Sequence, residues 1–196
     1  KLYNSRWVLE RALRDHALRV DQKRLSKVTG FLVNASKNAL MAGSLEQLRG
    51  LEGEGAAQYF SVFDELILQQ KENFFFYGRN RRPPLDNVNA MLSFIYSLLA
   101  HETAAALETV GLDPYVGFLH RDRPGRPSLA LDLMEELRAV LADRFVLSLI
   151  NKRVVTTKGF NKTVSGGIEM DEETRRAVLL AWQKRKQEQI EHPFLK

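Results

Sequence analysis

Apolar residues recur every three or four positions along most of this 196-residue chain, and that spacing is the strongest constraint on its fold. Leu9, Leu13, Leu18 and Val20, then Phe31, Leu32, Ala35 and Leu40, predict two nearly continuous helices over 4–28 and roughly 30–42, with no proline between them. Ser44 followed by Gln47 has capping-box spacing and opens a third helix, to about Lys71, that carries Glu52. Phe74 to Arg82 turns aromatic and then basic, and Pro83-Pro84 forbid helix, so a loop follows. Asp86 or Asn87 caps a strongly apolar helix from about Val88 to Thr109, closed by Gly111 and Pro114. Residues 112–127, rich in glycine and proline, predict irregular backbone. Ser128 is the expected N-cap of a helix through Leu131, Leu137, Val140 and Leu141, stopping near Asp143 before another helical piece to Asn151. Only Val154 to Thr157 and Thr163 to Met170 look like strands, so a small hairpin is expected within 153–170. Asp171 caps a last helix from Glu172 to about Glu191, ended by Pro193. The expectation is an all-α, multi-helix fold with one hairpin, in one domain over 1–196.

The chain has no cysteine, which excludes disulfides and thiolate metal sites; any metal must sit on oxygen and imidazole, and the cytosol is a natural home. No apolar run approaches the eighteen or so residues that a membrane helix needs, and the first residues do not resemble a signal peptide. The chain opens at Lys1, within a helical pattern, as a fragment of a longer protein would. Its net charge of +5 favours an anionic partner, and the distribution says more. Residues 1–30 alone carry eight basic residues against three acids. Further clusters are Arg79 with Arg81 and Arg82, then Arg121, Arg123 and Arg126, then Lys152, Arg153, Lys158 and Lys162. Each could be plain solvated surface; four of them flanking candidate acids favour a phosphate-binding surface.

The residues that could carry chemistry are Glu52 on the third helix, His120 in the glycine/proline loop, and Asp132 with Glu135 on the helix after it. Asp132 and Glu135, three apart, share one helical face, where two carboxylates can share a metal or one can support the other; Glu136 competes at the next position. Glu52 lies among Gly53, Gly55, Ala56 and Ala57, small residues that let another backbone come close. Each alone has a plainer role. Glu52 could be helix surface, His120 a hydrogen-bonded loop histidine, and Asp132 with Glu135 a complement to the helix dipole. His16, His101 and His192 show no pattern of acid partners. The Phe74-Phe75-Phe76-Tyr77 run and Tyr59 read as core before they read as base-stacking surface. Two lookalikes fail: His120-Arg121-Asp122 starts like a kinase catalytic loop without the asparagine that must follow, and Gly53-Glu54-Gly55 lacks a preceding strand and a third glycine.

Three stretches together resemble the CRISPR-associated Cas1 integrase family: Leu51 to Phe60 (LEGEGAAQYF), Leu119-His120 through Gly125-Arg126, and Ser128 to Arg138 (SLALDLMEELR). Arg82-Pro83-Pro84 leading into Asn87 to Phe94, and the Asn151-Lys152-Arg153 turn, are similar too. The resemblance implies a helical C-terminal catalytic domain with Glu52, His120 and Glu135 as ligands of Mg²⁺ or Mn²⁺, and Asp132 as a neighbouring acid. Family members often have aspartate where this chain has Glu135, which leaves open whether Asp132 or Glu135 is the closer ligand. The implied reaction is attack of a prespacer 3′-hydroxyl on the repeat of a CRISPR array, with nuclease activity as a related outcome. Arg121, Arg123, Arg126 and Arg82 are the residues expected to meet DNA phosphates. The family's N-terminal β-domain has no counterpart in this sequence. A homodimer, a Cas2 dimer and a Cas4 nuclease are the implied protein partners, and a prokaryotic cytoplasm the implied place. Two other classes stay open on the residues alone. One is a non-catalytic helical DNA-binding adaptor; the other is a helical metal phosphohydrolase acting on nucleotides, which no adjacent His-Asp pair supports.

Overall fold

A computed structural model describes residues 1–121 and 123–189. Among the described residues the fold is all-α apart from one two-stranded hairpin. Helices α1 (Leu2–Asp15), α2 (Gln22–Leu40) and α3 (Leu45–Ser61) pack as neighbours, and α4 (Asn87–Thr109) runs through the middle of the molecule. The helix α5 (Ser128–Leu137) continues through a π-helical turn (Arg138–Asp143) into α6 (Arg144–Asn151). The strands β1 (Phe160–Lys162) and β2 (Ile168–Met170) pair antiparallel, Phe160 opposite Met170, and α7 (Glu172–Lys186) closes the order.

Caps explain several starts. Ser44 accepts from the Gln47 N–H at 3.2 Å while the Gln47 side chain accepts from the Gly43 N–H at 3.0 Å, a near-reciprocal box. Asp86 and Asp171 accept from the Asn89 and Thr174 N–H groups, each at 2.7 Å. Gly111, at φ +78, ends α4 where a side chain would be strained.

The structure also corrects the sequence reading. The first helical stretch breaks at 16–21, because Asp21 caps α2 on the Arg24 N–H at 2.9 Å. The third helix stops at Ser61 rather than near Lys71, since a 3₁₀ turn (Phe63–Leu66) follows and the Asn151 side chain then takes the Leu68 and Gln69 N–H groups at 2.7 and 3.2 Å. Ser128 is the first residue of α5, not its cap; Pro127 precedes it, and the Ser128 hydroxyl turns back to the loop carbonyls of Arg121 and Arg126. Val154 to Thr157 forms no strand: Val155 is buried and a 3₁₀ turn follows at Thr157–Gly159. The expected end of the last helix, near Glu191 and Pro193, lies outside the described residues, as do Asp122 and His192.

By length and mean hydropathy α4 would pass as a membrane span, contrary to the sequence reading. Its Val88, Met91, Leu92, Ile95 and Leu99 lie in the shared core with Phe63, Phe74, Ile150 and Trp182. Each such side chain contributes about 1.5–3 kcal/mol by leaving water. Tyr59, Phe74 and Phe76 are core, as expected, whereas Phe75 and Tyr77 are exposed. Trp182 docks α7 by edge contact with Phe145 at 5.2 Å and by donating to Glu102 at 3.0 Å.

Candidate functional site

One cavity of about 290 Å³ is lined by Lys1, Glu52, Leu119, His120, Asp132, Glu135 and Glu136. Helix packing therefore brings together all four of the acids and the histidine singled out by the sequence. The close approach of α1 and α2 to α3 uses Gly55, where a Cβ would stand 2.1 Å from a Leu2 methyl; Gly53 faces open space. Arg49, one helical turn before Glu52, donates to the Leu119 carbonyl at 2.5 Å and so ties α3 to the histidine loop.

The loop side is built around Asp132. Its Oδ2 accepts from the Phe118 and Leu119 N–H groups at 2.6 and 2.9 Å. Its Oδ1 accepts from the His120 N–H at 2.9 Å and meets His120 Nδ1 at 2.7 Å. Both oxygens are thus committed to the loop. Burial pushes the Asp132 carboxyl up, but His120 and the three backbone donors outweigh it and hold it below the usual carboxylate range. With Nδ1 turned to Asp132, Nε2 is the imidazole nitrogen left for another partner. Gly117 makes this wrap possible: a Cβ there would lie 2.6 Å from the Ser128 Cβ and 3.0 Å from Asp132 Oδ2.

The core side is built around Glu135. Its Oε1 accepts from Arg138 at 2.5 Å, and its Oε2 lies 2.7 Å from the Lys1 ammonium. That contact is an ion pair without hydrogen-bond alignment, which leaves the buried Oε2 without a hydrogen bond. Burial raises the Glu135 carboxyl, but Arg138 and Lys1 outweigh it and hold it low. The same Lys1 ammonium bonds Glu52. Behind Glu135, the Arg138 guanidinium lies 4.0 Å over the Tyr96 ring, and the Tyr96 hydroxyl donates to Asp143. Asp143 is 1% exposed, and burial pushes its carboxyl up to about 6. Tyr59 lies against the same carboxyl without completing a hydrogen bond. The π-helical turn separates Arg138 from Asp143 by one wide turn, so that both face Tyr96, and the Asn4 side chain donates to the Glu136 carbonyl at 2.7 Å.

Among the described residues, no three His, Asp or Glu side chains are spaced to share one ion. The donor set still suits a hard cation, with two carboxylates and an imidazole, and the Lys1 ammonium stands between those carboxylates where a cation is favoured. Arg121 and Arg123 are exposed and Arg126 half-buried beside His120, and none pairs with a described acid. Arg82 lies elsewhere: its neighbours Pro83 and Pro84 line a groove with the β-hairpin, and Arg82 does not line the carboxylate cavity. Sequence reasoning missed Lys1, Arg49, Gly117 and Asp143. Arg138 had a signal, a cation three residues after Glu135 on one helix; the others depend on contacts between distant elements or on a close approach.

Comparison with known proteins places the chain in a family. A family model described as CRISPR associated protein Cas1 matches residues 1–184. A CRISPR-associated endonuclease Cas1 from Chlorobaculum tepidum is 49% identical over 195 residues, covering 100% of this chain and 57% of the relative. One from Rhodospirillum rubrum is 51% identical over 199 residues, covering 100% and 58%. Among solved structures, a casposase bound to integration product superposes with a TM-score of 0.76 at 28% identity, covering 98% of this chain and 51% of that one. A Cas6-RT-Cas1–Cas2 complex gives 0.81 at 27% identity, covering 100% and 21%. The chain spans a little over half the length of the curated relatives it matches. A family model reaching almost to the end of α7, and relatives about half identical across the whole chain, lead to one conclusion: the chain belongs to the CRISPR-associated Cas1 family.

Proposed function

We propose that this chain is the helical catalytic part of a Cas1 integrase, joining a DNA 3′-hydroxyl to a phosphodiester of a CRISPR array. The observation that carries the reading is the convergence of Glu52, His120 and Glu135, from α3, the loop and α5, on one cavity. A relative in fold captured with an integration product, the casposase, supports strand joining as the reaction. Glu52, Glu135 and Nε2 of His120 would hold one Mg²⁺ or Mn²⁺, which supplies charge stabilisation on the phosphate and the leaving oxygen.

The chain's own residues do the rest. Asp132 keeps His120 in the tautomer and rotamer that frees Nε2, which makes it an orienting acid rather than a ligand. Arg138 holds the Glu135 carboxylate ionised and pointed at the cavity. Arg121 and Arg123, exposed beside His120, offer guanidinium groups to target phosphates. Cas2 and Cas4 are the protein partners in this reading, as the Cas6-RT-Cas1–Cas2 complex and a Cas4/Cas1 fusion from Geobacter sulfurreducens suggest, with a homodimer in the whole protein and a prokaryotic cytoplasm as its setting. A purely DNA-binding adaptor would need the basic loop but not the paired carboxylates.

Glu52→Gln separates the two readings. It keeps the side chain's size and removes its charge, so strand joining in Mn²⁺ should fall by at least about 10²-fold and Mn²⁺ binding, read by electron paramagnetic resonance, should weaken, while DNA affinity stays within about twofold. Joining at the normal rate, or unchanged Mn²⁺ binding, would sink the metal-dependent reading.

A further inference from the structure

At the opposite end of α1 from Lys1 lies a second cavity, about 530 Å³, between α1, α6 and the segment after Leu66. Its charged lining is Arg11, His16, Arg19, Arg144 and Lys152 against a single acid, Asp15. That acid is already taken, by Arg11 at 3.1 Å and Arg14 at 3.0 Å. Arg144 is half-buried and forms no ion pair among the described residues; its company is the Trp7 ring at 5.1 Å, which Arg11 also approaches, at 5.7 Å. Burial holds the Arg144 guanidinium below its usual value, and Arg11 and Arg185 push it further down against the weaker pull of Asp15 and Glu188. Gathering like charges in a partly dry pocket costs stability unless an anion completes it.

The wall opposite is rigid. Asn151 clips the backbone of Leu66, Leu68 and Gln69, and Gln70 donates to the Ile150 and Val155 carbonyls at 3.0 and 3.1 Å. Gln70 and Arg153 sit at φ 57 and 56, the only non-glycine residues described with positive φ, and Arg153 reaches over to Gln69 at 3.1 Å. Non-glycine residues hold that conformation at a cost, and such strain gathers where a surface is pre-shaped for a ligand. The Asn151-Lys152-Arg153 turn, which no step at the carboxylate cavity uses, is the corner of this wall.

We propose that this cavity is a second anion seat that takes a phosphate of a DNA strand, so that the chain grips at one end of α1 and reacts at the other. The inference rests on the DNA-joining reading for the identity of its ligand. The two ends of α1 are about 20 Å apart at the usual helical rise, or about six phosphates along a strand of B-form DNA. A free phosphate or nucleotide shares the chemistry, and an acidic peptide would be a different partner.

The test is binding without metal or turnover, so that it stands even if the joining reaction fails. Wild type, Arg144→Gln, Arg144→Lys and the exposed Lys152→Gln are titrated with a fluorescent single-stranded 12-mer over a range of salt, in the presence and absence of Glu52→Gln. The expected result is a threefold to tenfold loss of affinity for Arg144→Gln, partial rescue by Arg144→Lys, a smaller loss for Lys152→Gln, and a salt slope lower by about 0.7 for each lost phosphate contact. The Arg144 side-chain N–H signal in NMR should move with the 12-mer at far lower concentration than with inorganic phosphate. Unchanged affinity and slope in both Gln variants would overturn the proposal, as would a signal that moves with oligoglutamate or phosphate alone and not with DNA.

Discussion

The two sides of the carboxylate cavity use acids only three residues apart on one helix, yet they are built differently. Asp132, on the loop side, is held by four donors drawn from residues 118–120, all within fourteen positions of it. Glu135, on the core side, is held by Lys1 from α1 and by Arg138, which rests on Tyr96 from α4 with Asp143 behind it. Both carboxyls stay low, one chiefly through hydrogen bonds and the other through cations. One side is a local device that aims a side chain, while the other is part of the core. Damage to the first should therefore appear in chemistry, and damage to the second in folding.

The largest effect that would sharpen this contrast is Arg138→Leu. It leaves Glu135 and Asp143 without their guanidinium, and breaking one partner of a buried ionic network costs about 3–5 kcal/mol. Thermal unfolding should drop by roughly 10 °C for a chain of this size; an unchanged midpoint would show that the core side stores no such energy.

Next in size is a dependence on pH that belongs to the core side alone. The folded-state value of Asp143, about 6, lies above its ordinary value of 3.8, so its stabilisation is complete below that ordinary value and is lost as pH rises through about 6. Asp132 and Glu135 act in the other sense, losing their contribution as pH falls below the usual carboxylate range. Asp143→Asn should flatten the stability profile between pH 4 and 7 measured by urea unfolding. A variant with the wild-type slope would assign that slope to other groups.

The smallest effect tests the loop side. Asp132→Asn keeps the shape but weakens the grip on His120, which should lower strand joining and Mn²⁺ affinity by about 10–100-fold. Its unfolding midpoint should stay within a few degrees of wild type. Should the variant unfold as readily as Arg138→Leu, the two sides would not differ in kind.

Much of this architecture was legible in the residues. The caps at Ser44, Asp86 and Asp171, the apolar stripe of α4 and the irregular loop before Ser128 are short-range features, decided by hydrogen bonds that reach three or four positions. The misreadings have a common cause. The run toward Lys71 looked helical until Asn151, more than eighty positions away, took the Leu68 and Gln69 amides; Val154 to Thr157 looked like strand until Val155 was drawn into the core.

The site divides in the same way. Residue type and periodicity are local properties, so the residues alone put forward the candidate acids and histidine, the helical spacing that puts Asp132 and Glu135 on one face, and the basic loop beside His120. Helix packing, by contrast, turned Asp132 to the loop, set Glu135 and Glu52 on the one Lys1 ammonium, left Arg82 apart with the hairpin, and stood Tyr96 and Asp143 behind Arg138. Those outcomes depend on which helix packs where, and charges act on whatever neighbours that packing supplies.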